Sequence, residues 1–209
     1  MGPQKAHQIA TRLLQDDKWD LVVSTGFAGA LQDLPIGTLV IGDEWLDDPL
    51  EVSSGKPAVC DSKWVARLVE VSRASLPFSV GRFVSVSCVL TQSEQKQKMA
   101  SLTGATAVDM ESGSIARVAK EFGVPFVIIR TISDGWREDL PLDFNNFQTL
   151  AGWLKGLYQC LISPKAWKGL FRLYRQSRVA SAQLTKFFKL FFPRVLALPS
   201  YSDLARTIS

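Results

Sequence analysis

One stretch constrains the fold of this chain more than any other. Residues 107–112 (Ala-Val-Asp-Met-Glu-Ser) and residues 124–134 (Val-Pro-Phe-Val-Ile-Ile-Arg-Thr-Ile-Ser-Asp) are apolar runs that each close on acidic groups. One helix length, Gly113 to Phe122, separates them. Strand, helix, strand at that spacing predicts an α/β fold with a largely parallel sheet. Parallel strands deliver side chains at their carboxyl ends to one crevice, so Glu111 and Asp134 are predicted to meet there. Residue type alone leaves plainer roles open. Glu111 also suits a first helical turn, set against the macrodipole, and Asp134 suits a turn or helix N-cap after a strand.

The remaining elements agree with that class. Ala6, Ile9, Ala10, Leu13 and Leu14 share one face of a helix predicted over 4–15. A strand follows at 19–24 and runs into a glycine-containing turn at 25–29 that opens a short helix. Further strands are predicted at 38–41, 82–90, 106–109 and 126–132, and helices at 62–74, 93–100, 112–121 and 147–160; residues 47–58 read as a loop. With 46% hydrophobic and 21% charged residues in a chain of 209, one domain with a sizeable core is expected. Residues 1–160 form that domain in this reading, and 161–209 a basic helical extension.

Three cysteines, Cys60, Cys88 and Cys160, have no spaced partners. An odd, unclustered set argues for a reducing compartment, hence the cytoplasm, and against a disulfide scaffold or zinc site. The single histidine, His7, lies on a polar helix face, which leaves a His-based triad or metal centre without support. The opening Met-Gly-Pro-Gln-Lys carries no apolar leader core, and no apolar run reaches the roughly 18 residues a membrane span needs.

Charge is distributed unevenly. From Phe144 to Ser202 there is no Asp or Glu but nine Lys and Arg, while the rest of the chain holds 15 basic and 20 acidic residues. Trp167, Leu170, Phe171 and Tyr174 recur at helical spacing, as do Leu184, Phe187, Phe188 and Phe191, with the cations elsewhere on the wheel. Three roles fit such a tail. It can pack on the domain or a partner subunit with its cations in water, or lie on an anionic membrane surface such as the inner face. Nucleic-acid binding is the weakest of the three, because no nucleic-acid module accompanies the tail.

Several segments together resemble the nucleoside phosphorylase and nucleosidase family. Residues 1–6 resemble the family's Gly-x-Gly turn before a helix, residues 23–30 its Gly-Ser-Ala-Gly loop, and residues 36–44 the strand after that loop. Val108-Asp-Met-Glu111 matches the Met-Glu ribose motif, and Arg130-Thr-Ile-Ser-Asp134 the Arg-x-Ile-Ser-Asp motif. The likeness spans about residues 1–150. Within the family it is strongest to the hopanoid-associated branch, through residues 98–112 and the tail from Ser163 to Leu184. That branch removes adenine from adenosylhopane, a nucleoside joined to a polycyclic lipid.

The resemblance implies a three-layer α/β/α fold with a mixed, largely parallel central sheet, and cleavage of a purine N-glycosidic bond by hydrolysis or phosphorolysis. Asp134 becomes the acid that protonates adenine N7. A free Asp titrates at about 3.9, so this role calls for surroundings that favour the protonated form; the apolar run before it and Trp136 after it are the sequence candidates. Glu111 would grip the ribose hydroxyls, Met110 pack under the sugar, and Ser133 hydrogen-bond Asp134. Val89 and Phe126 are candidates for the base pocket, with core packing the plain alternative for each. Gly26, Phe27 and Ala28 occupy the phosphate loop, where Phe27 replaces a serine and offers a phosphate no hydroxyl. This leans towards water as nucleophile, although backbone donors leave phosphate open as a co-substrate. No cofactor or metal is expected, and homo-oligomers occur in the family. Strands that precede the first helix in the family have no counterpart here, which predicts an exposed sheet edge. It also keeps open an inactive, membrane-associated binding or scaffold protein.

Overall fold

A computed structural model describes residues 2–16, 18–49, 56–73, 76–141 and 164–196. In chain order the elements are α1 (Pro3–Asp16), β1 (Val22–Ala30), β2 (Leu39–Asp47), β3 (Ala58–Val59), α2 (Ser62–Arg73), β4 (Phe78–Ser85), α3 (Ser93–Thr103), β5 (Ala107–Asp109), α4 (Ser112–Glu121), β6 (Phe126–Asp134) and α5 (Pro164–Leu196). The helix expected at 147–160 lies outside the described residues.

Every residue of β6 is buried, as a strand covered on both faces requires. Its side chains alternate between two apolar layers. Phe126, Ile128 and Ile132 point into a core shared with Ala10 and Leu14 of α1 and Ala116, Val118 and Ala119 of α4. Val127 and Ile129 point the other way, against Trp64, Leu68 and Val71 of α2 and Phe187 and Phe191 of α5. Helices therefore cover both faces, in the three-layer α/β/α arrangement.

Strand order is β3-β2-β4-β5-β1-β6, and β2 also pairs with β6, so five strands curl round until the last meets the second. β1 runs parallel to β6, β2 to β4 and β4 to β5. β5 is antiparallel to β1, and β2 is antiparallel to β6 and β3. The sheet is mixed, with parallel and antiparallel pairs in equal number among the described residues.

Three sequence expectations are corrected here. The expected turn at 25–29 is strand, and the short helix it was to open is a bend at 31–33: β1 stays paired with β6 from Val22 to Gly29, with a register shift after Ala28. Its glycines serve close approach instead of turning. Gly26 (φ +146°) lies beside Arg130, whose Nη1 would stand 3.1 Å from an added Cβ. Second, β4 begins and ends earlier than the predicted 82–90, because its ladder with β2 runs from Phe78 to Ser85 and residues 86–92 leave the sheet. Third, the two amphipathic tail helices are one helix of 33 residues, since nothing between Arg178 and Leu184 is Gly or Pro.

Among the described residues of α5, it is the second half that reaches the core. Phe187 and Phe191 are buried there, whereas Trp167, Phe171 and Tyr174 stay exposed. Beyond Phe187, α5 and the outer edge of β1 enclose an apolar groove of about 780 Å³ lined by Val23, Phe27, Leu184, Phe188 and Phe192. Among the described residues, Val22–Ala28 have a ladder partner on one side only, β5 joining β1 just at Gly29 and Ala30.

Cys60 sits in the α1/α4 core layer, and burial pushes its thiol up to about 12, with Asp43, Asp61 and Glu44 adding to the rise against a backbone N–H from Ile128. The neutral thiol is the folded form. Its contribution to stability is complete below the unfolded value near 9 and is lost as pH climbs from there towards 12. Iodoacetamide at pH 8.5 is therefore expected to leave Cys60 unmodified in native protein and to label it after denaturation, read by peptide mapping. Rapid native labelling of Cys60 would contradict this burial.

Candidate active site

β6 ends on Asp134, which is 9% exposed. Its carboxylate is held from two sides. Lys96 Nζ, from α3, donates to Oδ2 at 2.6 Å, and Ser133 Oγ lies 2.9 Å from Oδ1. Ser133 Oγ also lies 3.4 Å from the carbonyl of Ala28, and its single proton serves one acceptor at a time. Gly29 of β1 passes close enough that a Cβ there would stand 3.0 Å from Asp134 Oδ2. The surroundings expected from sequence were an apolar wall; the partner found at the carboxylate is an ammonium. Trp136 packs against the α1/α4 core and lies under the Arg137 guanidinium.

The segment after β6 is tied down as well. Leu140 N–H donates to the Thr91 carbonyl at 2.8 Å. Ser93 N–H, at the start of α3, donates to Asp139 Oδ1 at 2.7 Å and holds that exposed carboxyl below its ordinary range. Glu138 accepts from Gly135 N–H at 3.2 Å, from Gln176 Nε2 at 2.9 Å, and pairs with Arg172 Nε at 2.7 Å.

Glu111 stands at the N-cap of α4. Arg130, on β6 and 5% exposed, reaches it with Nη2 at 3.6 Å. Gly2 N–H, just ahead of α1, donates to Glu111 Oε1 at 3.3 Å. The same guanidinium pairs through Nε with Asp109 Oδ2 at 2.6 Å, donates through Nη1 to the Phe27 carbonyl at 2.9 Å and through Nη2 to Ser24 Oγ at 3.2 Å. Asp109 in turn accepts from Ser85 Oγ at 2.6 Å, from Ser112 N–H and from the Ser112 hydroxyl. Asp109 thus caps α4 and neutralises Arg130, a structural role.

The two carboxylates are brought to the same part of the molecule by a different route from the expected one. β5 is antiparallel to β1, with Ala30 opposite Ala107 and Gly29 opposite Val108, while Gly26 lies opposite Arg130 and Gly29 opposite Asp134 on the parallel side. The chain leaving β5 therefore runs back along β1, and Glu111 comes to Arg130, four residues before Asp134. Asp134 thus stands at the end of β6 opposite Gly29, while Glu111 stands at the start of α4 and meets the guanidinium of Arg130, which lies opposite Gly26.

The other sequence candidates are spread out. Met110, partly buried, packs on the cluster of Val84, Val86, Met99 and Val108. Val89 is half-buried in the segment between β4 and α3. Phe27 turns its ring to the groove against α5 and offers Arg130 only its carbonyl. Phe126 is corrected to a core residue. It begins β6, eight residues and roughly 26 Å from Asp134, and packs in the α1/α4 layer. Sequence reasoning missed Lys96. α3 is polar overall, but its buried residues Lys96, Met99 and Thr103 fall at i, i+3, i+7, a stripe that would have marked Lys96 as facing inward.

A profile of the phosphorylase superfamily matches residues 1–152. The chain belongs to the phosphorylase superfamily. It is 30% identical over 181 residues to a 5'-methylthioadenosine/S-adenosylhomocysteine nucleosidase of Shewanella sp. (strain W3-18-1), covering 78% of this chain and 77% of that one. The nucleosidase of the same description from Shewanella halifaxensis is 28% identical over 168 residues, with 73% of each chain covered. Among solved structures, Helicobacter pylori 5'-methylthioadenosine/S-adenosylhomocysteine nucleosidase bound to butyl-thio-DADMe-Immucillin-A superposes with a TM-score of 0.65 at 20% identity, covering 90% of this chain and 76% of that one. Apo Arabidopsis thaliana 5'-methylthioadenosine nucleosidase gives 0.61 at 18% identity, covering 90% and 68%. These two likenesses establish the shared fold. As a superfamily member with nucleosidase relatives, the chain is an enzyme of the glycosidic-bond-cleaving nucleosidase and phosphorylase kind.

Proposed function

We propose that this superfamily member releases adenine from a 5'-substituted adenine nucleoside, with water as the nucleophile. The observation that carries the reading is the pair of anchored carboxylates, Asp134 on Lys96 and Ser133, Glu111 on Arg130 and Gly2. Adenine leaves poorly as an anion, and a proton delivered to N7 lets it leave neutral. We assign that delivery to Asp134: ion-paired with Lys96 at Oδ2, it takes a proton from solvent on Oδ1 before the base departs, and the attacking water returns one proton to solvent. A positioned acid contributes about 10²- to 10⁴-fold.

Departure of the base leaves positive charge on the ribosyl ring. Glu111 holds the ribose hydroxyls and sets a negative charge beside that ring, and Met110 supplies an apolar floor. Two features support water over phosphate. Phe27 carries no hydroxyl, and residues 25–29 are a strand laddered to β6, not a turn that gathers N–H groups into an anion cradle. Relatives described as nucleosidases point the same way. A long apolar 5' substituent is the finer reading suggested by the hopanoid-branch likeness of residues 98–112.

The test is adenine release, followed by chromatography, from 5'-methylthioadenosine, adenosine and a nucleoside with a long alkyl 5' group, each with and without phosphate. Release that needs no phosphate is expected. Strict phosphate dependence would turn the assignment to phosphorolysis, and no release from any substrate would overturn it.

A further inference from the structure

Lys96 is 1% exposed, one of the most deeply buried side chains among the described residues. An ammonium has three protons and no acceptor. Here all three have partners: Asp134 Oδ2 at 2.6 Å, the Gly135 carbonyl at 2.9 Å and the Glu138 carbonyl at 3.1 Å. A buried cation costs several kcal/mol of desolvation unless it is paired and fully hydrogen-bonded. An apolar side chain would fill the same space between α3 and the segment after β6 without that cost, so stability alone is a weak reason for a lysine there.

The geometry has a more specific consequence. Lys96 holds Oδ2, and Ser133 Oγ lies 2.9 Å from Oδ1, where the hydroxyl either donates to that oxygen or accepts its proton while turning its own to Ala28 O, so the plane of the Asp134 carboxyl group is set and Oδ1 is the oxygen that can carry the proton. The two carbonyls that share the ammonium belong to the segment that leaves β6, so the same contact fixes backbone on the far side of Asp134. The Glu138 side chain then passes the constraint to Arg172 and Gln176 of α5. Gly29 completes the fit, because any Cβ there would crowd the oxygen that Lys96 holds.

We propose that Lys96 is a positioning residue for glycosidic-bond cleavage, its ammonium holding the Asp134 carboxyl and the 135–138 backbone in the one arrangement that meets a purine N7. The proposal rests on the reading of Asp134 as the acid. Reacting groups misplaced by about 1 Å lose on the order of 10²-fold in rate, so the effect belongs in kcat, with substrate binding through Glu111 and Met110 left intact.

The experiment is a double-mutant cycle on the full chain. Lys96→Gln and Lys96→Arg are made alone and with Asp134→Asn, and kcat and KM for adenine release from 5'-methylthioadenosine are measured beside thermal melts. Lys96→Gln is expected to lower kcat about 10²-fold with KM within about threefold. Lys96→Arg keeps a cation, and so keeps the fold if Gln does not, but its planar fork cannot reproduce three tetrahedral contacts; at least a tenfold loss in kcat is expected. In the Asp134→Asn background neither change lowers kcat by more than about twofold further, because a residue that acts through Asp134 has nothing left to position. Full kcat in either single variant, or losses that simply multiply in the double variants, would overturn the proposal. Full activity in Asp134→Asn alone would instead remove the acid assignment on which it stands, so the two failures are told apart.

Discussion

Asp134→Asn is expected to lower kcat for adenine release by about 10²-fold or more while KM changes little. At about 1.4 kcal/mol per tenfold, that is at least roughly 2.7 kcal/mol of barrier. The substitution is close to isosteric. Asn keeps an oxygen for one neighbour, Lys96 or Ser133, and cannot deliver a proton to N7. Its cost to folding comes from the Lys96 ammonium, which keeps two carbonyl acceptors but loses its counter-charge; a charge-assisted hydrogen bond of that kind contributes about 1.5–3 kcal/mol. The assay is therefore run below the variant's own melting transition, with circular dichroism as the check on folding. A kcat within twofold of wild type in folded protein would end the acid assignment, and with it the reading of the Arg-x-Ile-Ser-Asp segment as chemistry.

What could be read from the sequence was whatever depends on local pattern. β6 was legible because a run of β-branched and apolar residues closing on Asp has few other fates. α4 was legible from its spacing between two such runs. The long-range choices were not. Nothing in Ala107–Asp109 says that this strand runs antiparallel to β1; direction is decided by which neighbours bury its three side chains, and that reversal is what lays Glu111 beside Arg130. The glycines of 25–29 read as a turn by composition, yet they are where a guanidinium and a carboxylate press on the strand. Lys96 lies on a helix that is polar overall, a buried ammonium is rare, and only the fold brings its three acceptors together. The site thus depends most on contacts between residues far apart in the chain: Lys96 with Asp134, Ser24 with Ser112, and Gly2 with Glu111.

The same logic places the largest stability effect at Arg130. Arg130→Met fills most of the space but leaves Asp109, whose side chain is 1% exposed, facing Ser85 and Ser112 without its cation. Removing one partner of a buried pair costs about 3–5 kcal/mol. In a chain of this size each kcal/mol moves the melting temperature by about 2–4 °C, so a fall of roughly 6–20 °C is expected. Arg130→Lys should fall between, because a point charge can neutralise Asp109 but cannot also span Phe27 O, Ser24 Oγ and Glu111. Adding Asp109→Asn to Arg130→Met removes the stranded charge and should recover more than half of the lost stability, although the remaining polar contacts stay broken. Catalysis should not recover with it. Glu111 keeps Gly2 N–H but loses the guanidinium that faces it, so KM for the nucleoside is expected to stay at least tenfold raised in the double variant, a loss of about 1.4 kcal/mol in ribose binding. Differential scanning fluorimetry and steady-state kinetics on the three variants separate these effects. A melting temperature within 2 °C of wild type in Arg130→Met would show that the network around Asp109 does not hold the strands together, and a restored KM in the double variant would show that Arg130 does not orient Glu111.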